Sequence, residues 1–151
     1  MTIRSLTVAL TLTTALGVGA SSLAQSARPM VTVYKSPTCG CCSKWIEHMK
    51  AQGFDVKSTD QSDVTPIKTQ YGVPADAQSC HTALVGGYVL EGHVPASAVK
   101  KLLSEKPKVV GLAVPGMPVG SPGMEVPSGQ VEAYNVVAFD KAGKQTVYEK
   151  H

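Results

Sequence analysis

The stretch Val31-Thr32-Val33-Tyr34-Lys35-Ser36-Pro37-Thr38-Cys39-Gly40-Cys41-Cys42 decides the reading of this chain. Its first four residues read as a short apolar strand and the next four as a turn, and Ser43 to Gln52 follows as a helix with Trp45, Ile46 and Met49 on one face. Thr38 or Cys39 would cap that helix. Three thiols then crowd its first turn, where unpaired backbone N–H groups and the positive end of the macrodipole favour thiolate over thiol. A thiolate is both a nucleophile and a soft metal ligand. Two chemistries therefore compete for this site, thiol–disulfide exchange and binding of a soft metal ion.

Downstream, Phe54 to Thr59 suggests a second strand, and Asp63 or Thr65 is placed to cap a short helix running to about Tyr71. Thr82-Ala83-Leu84-Val85 and Tyr88-Val89-Leu90 flank Gly86-Gly87, a strong hairpin signal. Pro95 to Lys106 reads as a helix with Val99, Leu102 and Leu103 inward, ended by Pro107. The predicted core order is β-α-β-α-β-β-α. Beyond it, residues 111–129 form a Pro/Gly-rich loop containing Pro115-Gly116-Met117 and Pro122-Gly123-Met124, and residues 130–149 read as a C-terminal hairpin around Lys141-Ala142-Gly143.

Upstream, a basic start with Arg4, an uncharged apolar run from Leu6 to Gly19 and the small residues Ser22-Leu23-Ala24 have the pattern of a secretory signal peptide over residues 1–24. The expectation is an exported protein, cleaved after Ala24, with no stable membrane insertion afterwards. The remaining residues 25–151 are the size of one domain. Without Arg4 the chain carries 13 basic against 11 acidic residues, a balance that names no polyanionic partner. Lysines are scattered, and two Phe and one Trp offer little to stack on bases, so nucleic-acid binding is not expected.

The four cysteines are Cys39, Cys41, Cys42 and Cys80. Cys39 and Cys42 have the two-residue spacing that a helix N-terminus can bridge, whereas a vicinal Cys41–Cys42 bond would be strained. Thiolate sulfur selects Cu(I), zinc or iron–sulfur clusters. The thioethers of Met117 and Met124 favour copper over zinc.

The element order, with Cys-X-X-Cys opening the first helix, resembles the thioredoxin-like α/β fold, here with an extra C-terminal loop and β-hairpin. That resemblance implies that Cys80, His81 and His93 lie near the cysteine cluster. It also implies a cis-proline where this chain has Cys80-His81-Thr82, a departure that weakens a protein-disulfide role. Ser36-Pro37-Thr38-Cys39-Gly40-Cys41-Cys42, Ser79-Cys80-His81-Thr82, Glu91-Gly92-His93-Val94-Pro95, and Pro115 to Pro118 with Ser121 to Met124 together resemble the CopG-type family. These are periplasmic thioredoxin-like proteins of bacterial copper resistance, formerly a domain of unknown function and unrelated to the DNA-binding repressors of the same name.

The resemblance covers about Met30 to Tyr148. It implies copper held by the cysteine cluster as Cu(I), with Cu(II) accessible to a mixed Cys/His site, and leaves open a copper oxidoreductase. The candidate metal ligands are Cys39, Cys41, Cys42, Cys80, His81, His93, Met117 and Met124. The expected partners are copper ions and either a copper efflux system or a periplasmic redox partner. Two other readings remain: a thiol–disulfide oxidoreductase in which Cys39 attacks and Cys42 resolves, and a copper store or chaperone without redox turnover. Zinc is the alternative metal. His48 is expected at the surface, His151 has no expected partner, and the acidic residues show no pairing for acid–base catalysis.

Overall fold

A computed structural model describes residues 27–151; the expected signal peptide and the mature start at Gln25 lie outside the described residues. Strand β1, Met30–Lys35, buries Val31 and Val33. The chain then turns, and the Cys39 N–H donates to the Ser36 carbonyl at 3.1 Å. Helix α1, Gly40–Ala51, starts with Cys39 as its N-cap and buries Cys42, Trp45, Ile46 and Met49, the three-and-four spacing of an amphipathic helix. Strand β2, Asp55–Asp60, begins one residue later than the sequence pattern places it, because the Phe54 N–H donates to the Met49 carbonyl of α1 at 3.1 Å.

Helix α2, Thr65–Gln70, follows an Asx turn in which the Thr65 N–H donates to Asp63 Oδ1 at 2.9 Å. After a single 3-10 turn at Ala75–Ala77 come β3, His81–Val85, and β4, Tyr88–Glu91. Gly86 and Gly87 both take positive φ, +55° and +86°, as a two-residue hairpin loop requires. Helix α3 spans Ala96–Glu105, and Lys106 leaves it in the left-handed conformation at φ 49°. Pro107 fits the end of the helix at this point, since a proline disfavours the right-handed α conformation in the residue before it.

The predicted loop over residues 111–129 needs correction at its start. Gly111–Ala113 is a strand, β5, buried throughout and paired parallel to β4. Three residues are too few to show a period. Gly111 is required there, because a Cβ would run into the Val89 backbone. The C-terminal hairpin is also shorter at its start than predicted: β6 covers Asn135–Phe139 and β7 Gln145–Lys150, while Val131 is 64% exposed.

Among the described residues the result is a mixed α/β fold, a seven-stranded sheet in the order β2-β1-β3-β4-β5-β6-β7 with three α-helices. The hairpin joins the sheet through β5. One face packs on α1 and α3 around Trp45, Met49, Val99 and Leu102, and the other is covered near Val73 and Ala77. No helix among the described residues is long and apolar enough to cross a membrane. Register does the rest of the positioning. Lys35 at the end of β1 pairs with His81 at the start of β3, and Thr82 pairs with Glu91. The Cys39 turn, the Cys80 loop and the His93 loop therefore meet at one end of the sheet.

Candidate metal centre

The strand-to-helix turn presents Cys39, Cys41 and Cys42 at the start of α1, and no acidic side chain occupies that first turn. Cys39 and Cys42 form a disulfide with Cα atoms 5.4 Å apart, and Cys41 and Cys80 are free thiols. Cys42 is wholly buried while Cys39 is partly exposed. Cys41 Sγ lies 3.5 Å from Cys39 Sγ. Cys80 closes the group from the loop before β3, and the four sulfur atoms lie within 4.8 Å of one another.

Cys80 also belongs to a second group. Its sulfur sits 3.3 Å from His81 Nδ1 and 3.0 Å from His93 Nε2, and these three donors likewise fall within 4.8 Å. The sulfur of Cys80 is thus the shared corner of a thiol cluster and a thiol–imidazole cluster. Both histidines are fully buried, with ring centroids 5.3 Å apart, and His81 also packs on Trp45 at 4.5 Å.

Of the two imidazoles, His93 has the orientation common among metal ligands. His93 Nδ1–H donates to the Pro122 carbonyl at 2.7 Å, which leaves the Nε2 lone pair facing Cys80. His81 Nε2 is buried without a partner. Burial holds the His81 pKa well below the ordinary value, with the charges of His93, Lys68 and Lys35 adding to the effect, and burial likewise lowers that of His93. Neutral rings result, the form that coordinates. Burial and the neighbouring Cys41 push the Cys80 thiol up to about 12, so at neutral pH it keeps its proton until a cation replaces it. Buried neutral imidazoles beside thiols that a cation must deprotonate fit a soft or borderline metal ion.

The frame around these donors comes from three contacts. Trp45 Nε1 donates to the Val94 carbonyl at 2.9 Å, tying α1 to the His93 loop. His48, expected at the surface, is half-buried instead: its Nε2 accepts the Ala96 N–H at 3.3 Å, at the first residue of α3. Pro95 precedes that helix and brings no side-chain cap, so the acceptor comes from α1. Gly123 carries the third contact, lying so close that a Cβ would come 2.7 Å from the Cys41 carbonyl oxygen and 2.8 Å from the Trp45 nitrogen. The Pro/Gly/Met loop is therefore seated on the site through residues 121–124.

The predicted methionine ligands are placed less uniformly. Met124 is half-buried next to Gly123, whereas Met117 is 50% exposed, one residue beyond Gly116, whose carbonyl accepts the Ser79 hydroxyl. His151 stacks on Tyr134 with centroids 5.0 Å apart and pairs with Glu149 at 3.0 Å, partners its terminal position did not suggest.

Sequence reasoning missed two residues behind the site, Lys68 and Glu91, which form a buried ion pair. Burial raises the Glu91 carboxyl above its ordinary value, an effect that Lys68 and hydrogen bonds from Thr82 and Ser79 offset only in part. The available signal was the period of two along β4, which sets Glu91 on the same face as Val89.

Fold and donors together define an α/β protein with a convergent thiol–imidazole site of metal-binding character. The comparisons with known proteins narrow that class. Residues 77–124 match the family described as "Protein of unknown function, DUF411". No curated protein matches the chain. Two solved structures do: "Copper resistance protein copG- Form 2", 42% identical over 82% of this chain and 98% of that one with a TM-score of 0.78, and "Copper resistance protein copG- Form 1", 43% identical over 81% and 96% with a TM-score of 0.76. The chain belongs to the CopG copper-resistance family.

Proposed function

We propose that this protein binds copper as part of copper resistance, taking Cu(I) at Cys39, Cys41, Cys42 and Cys80 with His81 and His93 completing the donor set. The observation that carries this reading is the position of Cys80, whose sulfur is shared by both donor groups. Cu(I) suits low coordination by sulfur, and Cu(II) suits nitrogen and oxygen donors, so a site joining both kinds supports copper in either oxidation state. Met124, and Met117 at the exposed edge of the same loop, supply thioethers. Copper is cargo or substrate here, and the Cys39–Cys42 disulfide is the oxidised form of the protein, whose reduction frees two further thiols.

The core belongs, in this reading, to the thioredoxin-like class. Support comes from the order β1-α1-β2-α2-β3-β4-α3, from sheet neighbours β2-β1-β3-β4, and from a Cys-X-X-Cys disulfide opening α1. The signal-peptide pattern of residues 1–24 supports a periplasmic location, where a copper efflux system or a redox protein is the expected partner.

The test is anaerobic Cu(I) titration of the reduced protein against a strong chelating competitor, with copper counted per chain. Tight binding that is lost in Cys80→Ser supports the site described; binding unchanged by that substitution sinks it. A second reading, thiol–disulfide exchange, draws on the partly exposed Cys39 bonded to the buried Cys42, the asymmetry of an attacking and a resolving thiol. Rapid catalysed reduction of insulin together with no competitive Cu(I) binding would favour it.

A further inference from the structure

Behind the copper donors lies a charge pair that copper chemistry does not use. Glu91, fully buried at the end of β4, meets Lys68 of α2, 4% exposed, at 2.5 Å. Every oxygen of this carboxylate is committed. Oε1 accepts from Lys68 Nζ and from the Ser79 N–H at 2.6 Å, and Oε2 accepts from the Thr82 hydroxyl at 2.7 Å. Lys68 Nζ donates as well to Thr82 Oγ1 at 3.2 Å. Ser79 immediately precedes Cys80-His81 in the chain, and Thr82 immediately follows.

The same residue leads into the other imidazole. The Gly92 N–H donates to the His81 carbonyl at 2.9 Å, and His93 comes next. One side chain therefore grips both ends of the Cys80-His81 dipeptide and heads the loop carrying His93. As a source of stability the pair is poorly chosen. Desolvating two charges cancels much of their attraction, and apolar replacements of similar volume are often neutral.

We propose that Glu91, balanced by Lys68, is a positioning residue for the copper site, holding Cys80 Sγ where the α1 thiols and the two imidazoles meet. This rests on the reading of Cys80 as a copper ligand. The Cys80 loop is irregular backbone between the 3-10 turn and β3, and Ser79 N–H has its acceptor in Glu91. Without that acceptor the loop is free to carry the sulfur away from its partners.

The experiment is a double-mutant cycle read by competitive Cu(I) titration of the reduced protein. Lys68→Met/Glu91→Leu removes both charges together, so neither is stranded in the interior, and it is compared with Cys80→Ser and with all three substitutions combined. Lost orientation of a metal ligand typically costs 10–100-fold in affinity, and a weakening of roughly that size is expected when Cys80 is present. In the Cys80→Ser background the pair should make no further difference, because the ligand it positions is gone. That disappearance is something a general structural role would not produce.

If Cys80→Ser weakens binding but Lys68→Met/Glu91→Leu does not, the positioning role is overturned and the copper site stands. Equal losses in both backgrounds also overturn it, leaving the pair a part of the fold. Unchanged affinity in Cys80→Ser removes the copper-ligand reading and this inference with it. Should the paired variant not fold, Glu91→Gln enters the same cycle: a loss confined to the Cys80 background supports the role, and a loss in both backgrounds or in neither overturns it.

Discussion

His48 is a single side chain that ties the thiol-bearing helix to the helix following His93. Its neutral Nε2 accepts the Ala96 N–H, and burial holds its pKa below the ordinary 6.5, with Glu125 opposing the shift and Lys100 adding to it. A histidine with a depressed folded-state pKa binds its proton more readily in the unfolded chain. Its stabilising contact is therefore complete above pH 6.5 and lost as pH falls below that value, and His81 and His93 act in the same direction. Thermal melts of the metal-free protein from about pH 7 to about pH 5 should show a falling Tm, with a smaller fall in His48→Gln. A drop of the same size in both proteins would mean that His48 does not report the acid sensitivity. At this scale the sequence was uneven. Cysteines and their spacing announce themselves, but the acceptor for Ala96 sits 48 residues away on another helix and has no local signature.

Among the elements, α3 ends on Lys106, which the αL conformation at φ 49° and ψ 51° strains by about 1–2 kcal/mol for a residue with a Cβ. Lys106→Gly removes that strain and adds back some unfolded-state entropy, so a net gain of about 0.5–1 kcal/mol is expected, roughly 2–6 °C in Tm. A lower Tm would contradict it. The elements themselves were largely readable. Strand β1, the Gly86-Gly87 hairpin and α3 follow from period and turn chemistry, because each buries one face and turns with glycine. Strand β5 escaped because its three residues are buried on both faces and its place is set by its neighbours β4 and β6. The Pro/Gly composition around it reads as loop, and most of residues 114–134 does run without regular structure.

For the whole molecule, the oxidised form keeps two of its four cysteine sulfurs bonded to each other. Metal capacity and redox state should therefore move together: Cu(I) bound per chain rises on anaerobic reduction, and reoxidation lowers it. The cross-link closes a loop only three residues apart, so chain-entropy arguments give it about 2 kcal/mol of stability and predict a fold that survives reduction. Circular dichroism of the reduced, metal-free protein checks this, and loss of its secondary structure would refute it. The site as a whole was legible because two of its groups are sequence motifs. Its geometry was not, since the register of β1 with β3 and the seating of residues 121–124 belong to the folded sheet.

The donors enter the chain far apart, Cys39 to Cys42 first, Cys80 and His81 after β2, α2 and the 3-10 turn, and the Pro122 carbonyl that orients His93 later still. Assembly of the site consequently has a local part and a tertiary part. The α1 cysteines are neighbours as soon as they are made, and can cross-link while the rest is unformed. The full donor set exists only once β3 has paired with β1 and the late loop has settled on His93. A chain caught before that moment offers a metal ion a pair or trio of loose thiols, and only the finished protein brings all the donors together. In the proposed reading, loading with copper therefore waits on the tertiary pairing of distant segments and not on the helix alone.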